Sequence, residues 1–254
     1  MPADLNRRLL LGGLLAAPAL LGGCKVFDRL PPDGATRNLF ESANRLTYET
    51  QRRLAGDALA PEYTRADIRQ GMRPNGTTAP TDADYQALAA NAWADWRLTV
   101  TGAVERPLSL SLSDLMAMPS RSQITRHDCV EGWSCIAEWT GVQLSLVLAE
   151  ARPRPEARFL YFRSMDTIER GLGGSIKYWE SHDLRDALHP QTILAYGMNG
   201  APLPVRNGAP LRLRVERQLG YKMAKYLSGI EVVPQLTDKG GYWEERGYDW
   251  YAGI

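Results

Sequence analysis

The stretch from Thr125 to Gly141 constrains this chain most. A run of low apolar alternation, Ser122-Gln123-Ile124-Thr125-Arg126-His127-Asp128, delivers Cys129 into a turn with Glu131, Gly132 and Trp133, and the chain continues through Cys135 and Trp139 to Gly141. Such a run suits a strand facing a polar pocket better than one facing a core. Gly132 and Gly141 permit turns and close backbone approach. A metal that cycles between oxidation states needs a thiolate ligand, a dry pocket and an open coordination position, and tryptophans can supply the dryness. Cys129 is therefore a candidate metal ligand. A buried structural cysteine or a Cys129–Cys135 disulfide fits the same residue types.

The chain has 254 residues, enough for one full core with an appendage. Hydrophobic residues at 44% and charged residues at 23% are those of an ordinary globular protein. A formal net charge of +1 excludes bulk electrostatic attraction to nucleic acid or an anionic membrane. Seven tryptophans are many for this length and suit either packing or the lining of a cleft.

The first residues read as an address. Arg7-Arg8 precede an apolar run, Leu9 to Leu21, that is too short to span a bilayer and fits the core of a signal peptide. It ends in Leu21-Gly22-Gly23-Cys24, similar to a bacterial lipobox, so residues 1–23 are expected to be removed and Cys24 lipidated; a plain signal peptide or an uncleaved anchor fits the same residues. Paired arginines suggest the twin-arginine route, which exports folded proteins and would place this one in the periplasm. In that oxidising compartment only Cys129 and Cys135 remain in the body, and metal binding would protect a thiol there.

Residues 24–92 read as a tether and a helical or irregular extension, with an amphipathic helix over Thr36 to Gly56 and irregular chain over 60–90. Residues 93–235 read as the main domain. Strands are expected at Trp96–Val104, into Cys129, at Ala157–Ser164, Thr192–Gly197, Leu211–Val215 and Tyr226–Val233. Helices are expected at Leu112–Met118, Gln143–Ala151 and from Ser181 to Leu188. Gly171 to Gly174 looks like a flexible phosphate-cradling loop, but no P-loop lysine follows, which argues against a nucleotide. Residues 236–254 form a tail rich in Tyr and Trp, expected to pack on the body or to cover a cleft mouth.

Cys129-Val130-Glu131-Gly132-Trp133-Ser134, then Trp139-Thr140-Gly141, His189-Pro190 and Asn207-Gly208-Ala209-Pro210-Leu211-Arg212, resemble in order the motifs of the sulfite oxidase superfamily, nearest its periplasmic methionine sulfoxide reductase catalytic subunits. The resemblance covers roughly residues 93–235. It implies an α+β fold of mixed β-sheets surrounded by helices, and a molybdenum–molybdopterin cofactor with Cys129 as metal ligand. It carries pterin contacts onto Asn75, Ser164, Asn207, Arg212, Met223 and Lys225. Arg217, Lys222 and Lys225 form a local basic cluster suited to the pterin's terminal phosphate. Arg126 and His127 are the nearest candidates for substrate contact or proton delivery, and a histidine beside a metal ligand equally suits holding the turn by a hydrogen bond.

The reaction implied is two-electron oxygen-atom transfer on a small molecule. Sulfite oxidases surround their anion with arginines, whereas Asp128 and Glu131 here put carboxylates beside the cysteine, so a neutral S-oxide or N-oxide is the expected substrate. A sulfite-oxidising enzyme is the alternative within the class. Outside it stand a thiol–disulfide lipoprotein using Cys129 and Cys135, and a non-catalytic envelope lipoprotein. The short stretch after the last expected strand leaves no room for the C-terminal immunoglobulin-like dimerisation domain of animal and plant sulfite oxidases, so a monomer is expected, exchanging electrons with a membrane cytochrome or other redox partner.

Overall fold

The computed structural model describes residues 34–69, 71–171 and 173–254. The expected signal segment and Cys24 lie outside the described residues. The chain divides into two compact units, one ending at Gly56 and one running from Asp57 to Ile254. In the first, α1 (Ala35–Ala55) coincides within a residue with the helix expected from apolar spacing. It ends at Gly56, whose φ of +52° is open to glycine at little cost, and Arg52 and Arg53 place positive charge at its carbonyl end.

The second unit contains two five-stranded sheets. The first joins β1 (Leu98–Gly102), β2 (Leu108–Leu110), β5 (Phe159–Gly171), β6 (Gly174–Asp183) and β10 (Leu227–Val233) in the order β2-β1-β10-β5-β6. Only the β1–β10 pairing is parallel there, with Val100 opposite Ile230. The second joins β3 (Ser120–Cys129), β4 (Trp133–Gln143), β7 (Ile193–Met198) and β8 (Ala201–Pro202), with β9 (Arg212–Arg214) also paired to β7. Around them lie α2 (Ala83–Ala90), α3 (Leu112–Ala117), α4 (Leu144–Ala151) and α5 (Leu184–Ala187). The α+β class with mixed sheets is the one the motifs imply.

Alternation explains the core. Leu98 and Val100 of β1, Leu160 and Phe162 of β5, and Ile230 and Val232 of β10 turn inward and meet Leu144, Val147 and Leu148 of α4. A smaller cluster gathers Cys135, Ala137, Trp139, Ile193, Ala195 and Met198 of the second sheet with Met72 and Leu203. Each fully buried aliphatic side chain contributes about 1.5–3 kcal/mol of hydrophobic stabilisation.

Three segments differ from the sequence reading. Residues 57–92, read as extension, are built into the second unit: Glu62 bridges Thr125, and α2 buries Tyr85. Residues 181–183, read as the start of a helix, finish β6, and Asp183 instead caps α5 by accepting from Asp186 N at 2.8 Å. Gly171 and Gly174, read as the ends of a flexible loop, are opposed residues of the β5–β6 hairpin. The C-terminal tail is hydrogen-bonded to the body: Tyr242 N donates to Trp179 O at 3.1 Å, Leu219 N to Ala252 O at 2.9 Å, and Ile254 N to Arg217 O at 3.0 Å.

Candidate active site

β3 and β4 form a tight hairpin whose register sets Cys129 opposite Trp133 and His127 opposite Cys135. Period-two alternation then sorts β3 into two faces: Gln123, Thr125, His127 and Cys129 are buried, while Arg126 and Asp128 point the other way. Cys129 opens into a cleft of about 730 Å³, its mouth included. Asn75, Thr77, Glu131, Asp166 and Lys225 supply the cleft's polar groups; Val130, Ile168, Met223, Tyr178, Tyr221, Trp243 and Tyr248 supply its apolar ones.

Burial pushes the Cys129 thiol above its usual pKa, against backbone N–H groups of Glu131 and Val130 that donate to the sulfur and the nearby charge of Arg73. A thiol raised in this way is a poor free nucleophile, but a coordinated metal would deprotonate it outright. Cys129 and Cys135 are both free, so the expected alternative of a disulfide between them is not realised. Cys135 packs into the smaller cluster.

The residues beside Cys129 do not share its cleft. Arg126 Nε pairs with Asp128 Oδ2 at 2.8 Å on the outer face, and Ser134 donates to the same carboxylate, so neither charge lines the cleft. The carboxylates that do line it are Asp166 and Glu131, the latter accepting from Trp133 Nε1 at 3.0 Å. His127 is fully buried. Its Nδ1 accepts from Arg214 Nη1 at 2.7 Å, and Arg214 is in turn held by Glu216 at 2.9 and 2.5 Å. Because arginine only donates, the neutral ring carries its proton on Nε2, which has no partner and faces Gly220. Burial first, and then Arg214, Arg212 and Lys225, push its pKa well below the usual histidine value. The structure thus places His127 behind the cleft, buried and held by Arg214, as the turn-holding reading of a histidine beside a metal ligand expects.

Arg212 and Lys225 form the electropositive part of the site. Arg212 is buried over the face of Trp139, 4.8 Å from the ring centroid, and Arg214 lies 4.3 Å from the same ring. Arg212 Nη1 donates to Asn207 O at 2.8 Å, while its Nε and Nη2 are buried without a partner. Burial and the neighbouring Arg214 lower the Arg212 pKa to about 9. Lys225 Nζ donates to Asn75 O at 2.6 Å and to Thr77 O, and burial followed by Arg212 lowers it to about 7. Gly208, at φ +118°, lies so close that a Cβ would sit 3.0 Å from Lys225 Cβ and 3.1 Å from Arg212 Cβ, which accounts for glycine in the Asn207-Gly208 turn.

Of the predicted pterin contacts, Asn75, Met223 and Lys225 line the cleft together with Cys129, and Arg212 and Asn207 are buried beside them. Ser164 lines a separate depression with Trp96 and Trp179, and its buried Oγ has no partner. The rest of the expected basic cluster turns away: Lys222 is buried between Glu180 and Glu244, and Arg217 pairs with Asp186. Asp166, Tyr178, Tyr221, Trp243 and Tyr248 were not singled out as site residues. Alternation along β5 from Ser164 could have pointed to Asp166, while Trp243 and Tyr248 come from the aromatic tail expected to pack on the body or cover a cleft mouth.

These groups fit a molybdopterin. Two unpartnered buried N–H donors on Arg212, beside the ammonium of Lys225, await an anion such as the pterin's phosphate. Asn75, Met223 and Asn207 would hold the ring system, and Cys129 the metal. Bound there, the group supplies a two-electron redox centre for oxygen-atom exchange.

Comparison with known proteins agrees. Residues 85–243 match the oxidoreductase molybdopterin binding domain. The subunit YedZ1 of Azospira oryzae, provisionally named for a protein-methionine-sulfoxide reductase, is 34% identical over 99% of this chain and 87% of its own. The protein-methionine-sulfoxide reductase catalytic subunit MsrP of Xanthomonas axonopodis pv. citri is 34% identical over 92% of this chain and 71% of its own. Among solved structures, the sulfane dehydrogenase SoxCD of Paracoccus pantotrophus superposes with a TM-score of 0.50 at 25% identity, covering 56% of this chain and 39% of that one. The chain belongs to the oxidoreductase molybdopterin-binding domain family of the sulfite oxidase superfamily and is a molybdenum-dependent oxidoreductase.

Proposed function

We propose that this enzyme reduces a neutral S-oxide of the methionine sulfoxide type, consuming two electrons and two protons and releasing the thioether and water. The observation that carries the reading is the lining of the Cys129 cleft. Among the described lining residues there is no arginine, the Glu131 carboxylate stands next but one to the cysteine, and most of the remaining surface is aliphatic or aromatic. An anion such as sulfite would be desolvated against the Glu131 and Asp166 carboxylates, while the lining cation, Lys225, already donates to Asn75 O and Thr77 O and stands with the Arg212 donors that suit the pterin's phosphate; a neutral S-oxide loses little on entry. The names of the Azospira and Xanthomonas relatives support the same substrate class.

Cys129 holds the metal in this reading; Arg212, Lys225, Asn207, Asn75 and Met223 hold the pterin, and Ser164, in its separate depression, is left out of the set. Electrons come from a separate membrane redox protein, and the leader at residues 1–23 places a monomer in the periplasm, tethered through Cys24. The test is turnover by the molybdenum-loaded protein with reduced benzyl viologen as electron donor. Methionine sulfoxide is expected to drive viologen oxidation. Sulfite-dependent reduction of ferricyanide, with no turnover of any S-oxide, would overturn the proposal.

A further inference from the structure

Trp243 and Tyr248 reach the cleft from the segment that follows the last strand, and the family match stops at residue 243. The segment is pinned. Lys222 Nζ meets Glu244 Oε1 and Glu180 Oε1, both at 2.5 Å, and all three side chains are fully buried. Tyr221, the neighbour of Lys222, donates its hydroxyl to Asp249 O at 2.6 Å. A Cβ on Gly241 would lie 2.7 Å from Glu180 Oε1 and run into Glu244, so the backbone passes where no side chain fits. The result is a row of rings: Tyr221 packs edge-on against Tyr248 at 5.4 Å, and Tyr248 lies tilted against Trp243 at 5.2 Å. Tyr248 is still 39% exposed, as a residue at an open mouth would be.

We propose that Trp243 and Tyr248 are specificity-determining residues, the wall against which the alkyl arm of an S-oxide substrate packs, and that Glu244, acting through Lys222, is their positioning residue. The inference rests on the S-oxide reading above and deepens it. Aromatic rings favour a polarizable sulfur and its flanking methylenes, while their negative faces offer nothing to a hydrated anion. The wall therefore selects a sulfur carried on a slender alkyl chain over a bare oxyanion.

The test uses molybdenum-loaded wild type, Trp243→Ala and Glu244→Gln, with methionine sulfoxide and dimethyl sulfoxide as substrates and methionine sulfone as a calorimetric binding probe. Trp243→Ala is expected to raise KM for methionine sulfoxide and Kd for the sulfone by about 10-fold, with kcat falling no more than about threefold. The Mo(V) electron paramagnetic resonance signal should be unmoved, and dimethyl sulfoxide, which has almost no arm, should shift by only about twofold. Glu244→Gln keeps an acceptor for Lys222 and should fall between. Trp243→Leu and Tyr248→Leu stand in if the alanine variant does not load. An unchanged KM and sulfone Kd in these variants, with wild-type S-oxide turnover intact, would overturn the inference alone. A loaded wild type that reduces no S-oxide would overturn the substrate reading, and its failure to bind the sulfone would overturn the wall with it.

Discussion

Cys129 and Lys225 show how burial sets the chemistry of single residues here. The Cys129 thiol, raised by burial, is inert as a free group and becomes useful only as a metal ligand. Cys129→Ser offers a harder, weaker donor, so the purified variant is expected to show an altered or lost molybdenum signal by elemental analysis and paramagnetic resonance, with turnover down at least about 100-fold. Lys225 is held near a pKa of about 7 against the usual 10.5, and a neutral amine can still donate to both Asn75 O and Thr77 O. Unfolding restores the usual value, so between those limits the unfolded chain binds more protons and stability must rise with pH. The metal-free wild type is therefore expected to gain in melting temperature, relative to Lys225→Met, between pH 7 and pH 9.5. Equal slopes for the two proteins would show that Lys225 is not desolvated as described.

At the scale of elements, the hairpin of β3 and β4 and the short turn at residues 220–222 act as a unit, because His127 Nε2 and Cε1 lie against Gly220. A Cβ on Gly220 would stand within 2.5 Å of His127 Cε1, and the ring cannot retreat while Arg214 holds Nδ1. Gly220→Ala is expected to cost about 1–3 kcal/mol in a denaturant titration, typical of overpacking. Because the turn leads into Met223 and Lys225, molybdenum occupancy should fall with it. Much of this was legible from the sequence: alternation gave β1 and β9, an apolar run gave the start of β5, and the Cys129 motif gave the strand end and its turn. What the sequence left open was direction. Arg126 and His127 both border the ligand by numbering, yet period-two alternation sends one outward and the other into a buried network, and only the register fixes which neighbour faces the cleft. The strand of residues 174–183 was hidden because Lys177 to His182 mix charge and aromatics without clean alternation, and their partners on β5 and in the tail are distant in sequence.

Across the whole molecule, one buried charge cluster ties three distant parts together: Glu180 lies in the outer strand of the first sheet, Lys222 sits in the turn beside the cleft, and Glu244 belongs to the C-terminal segment. Burial and the adjacent Glu244 push the Glu180 carboxyl up, and Lys222 opposes both, so the three groups are stable only as a set. A buried ion cluster of this kind gains little over an apolar filling but costs heavily when one partner is removed. Lys222→Met would leave two carboxylates facing each other out of water, and the expected loss is about 3–5 kcal/mol in chemical denaturation. Adding Glu244→Gln removes one of the two charges, so the double variant should recover at least about 1 kcal/mol relative to the single one, a non-additivity that independent sites would not show. The recovered protein would still lack the tie that seats Trp243 and Tyr248. Its stability should therefore return further than its affinity for methionine sulfone, separating the contribution of the cluster to folding from its contribution to the shape of the cleft.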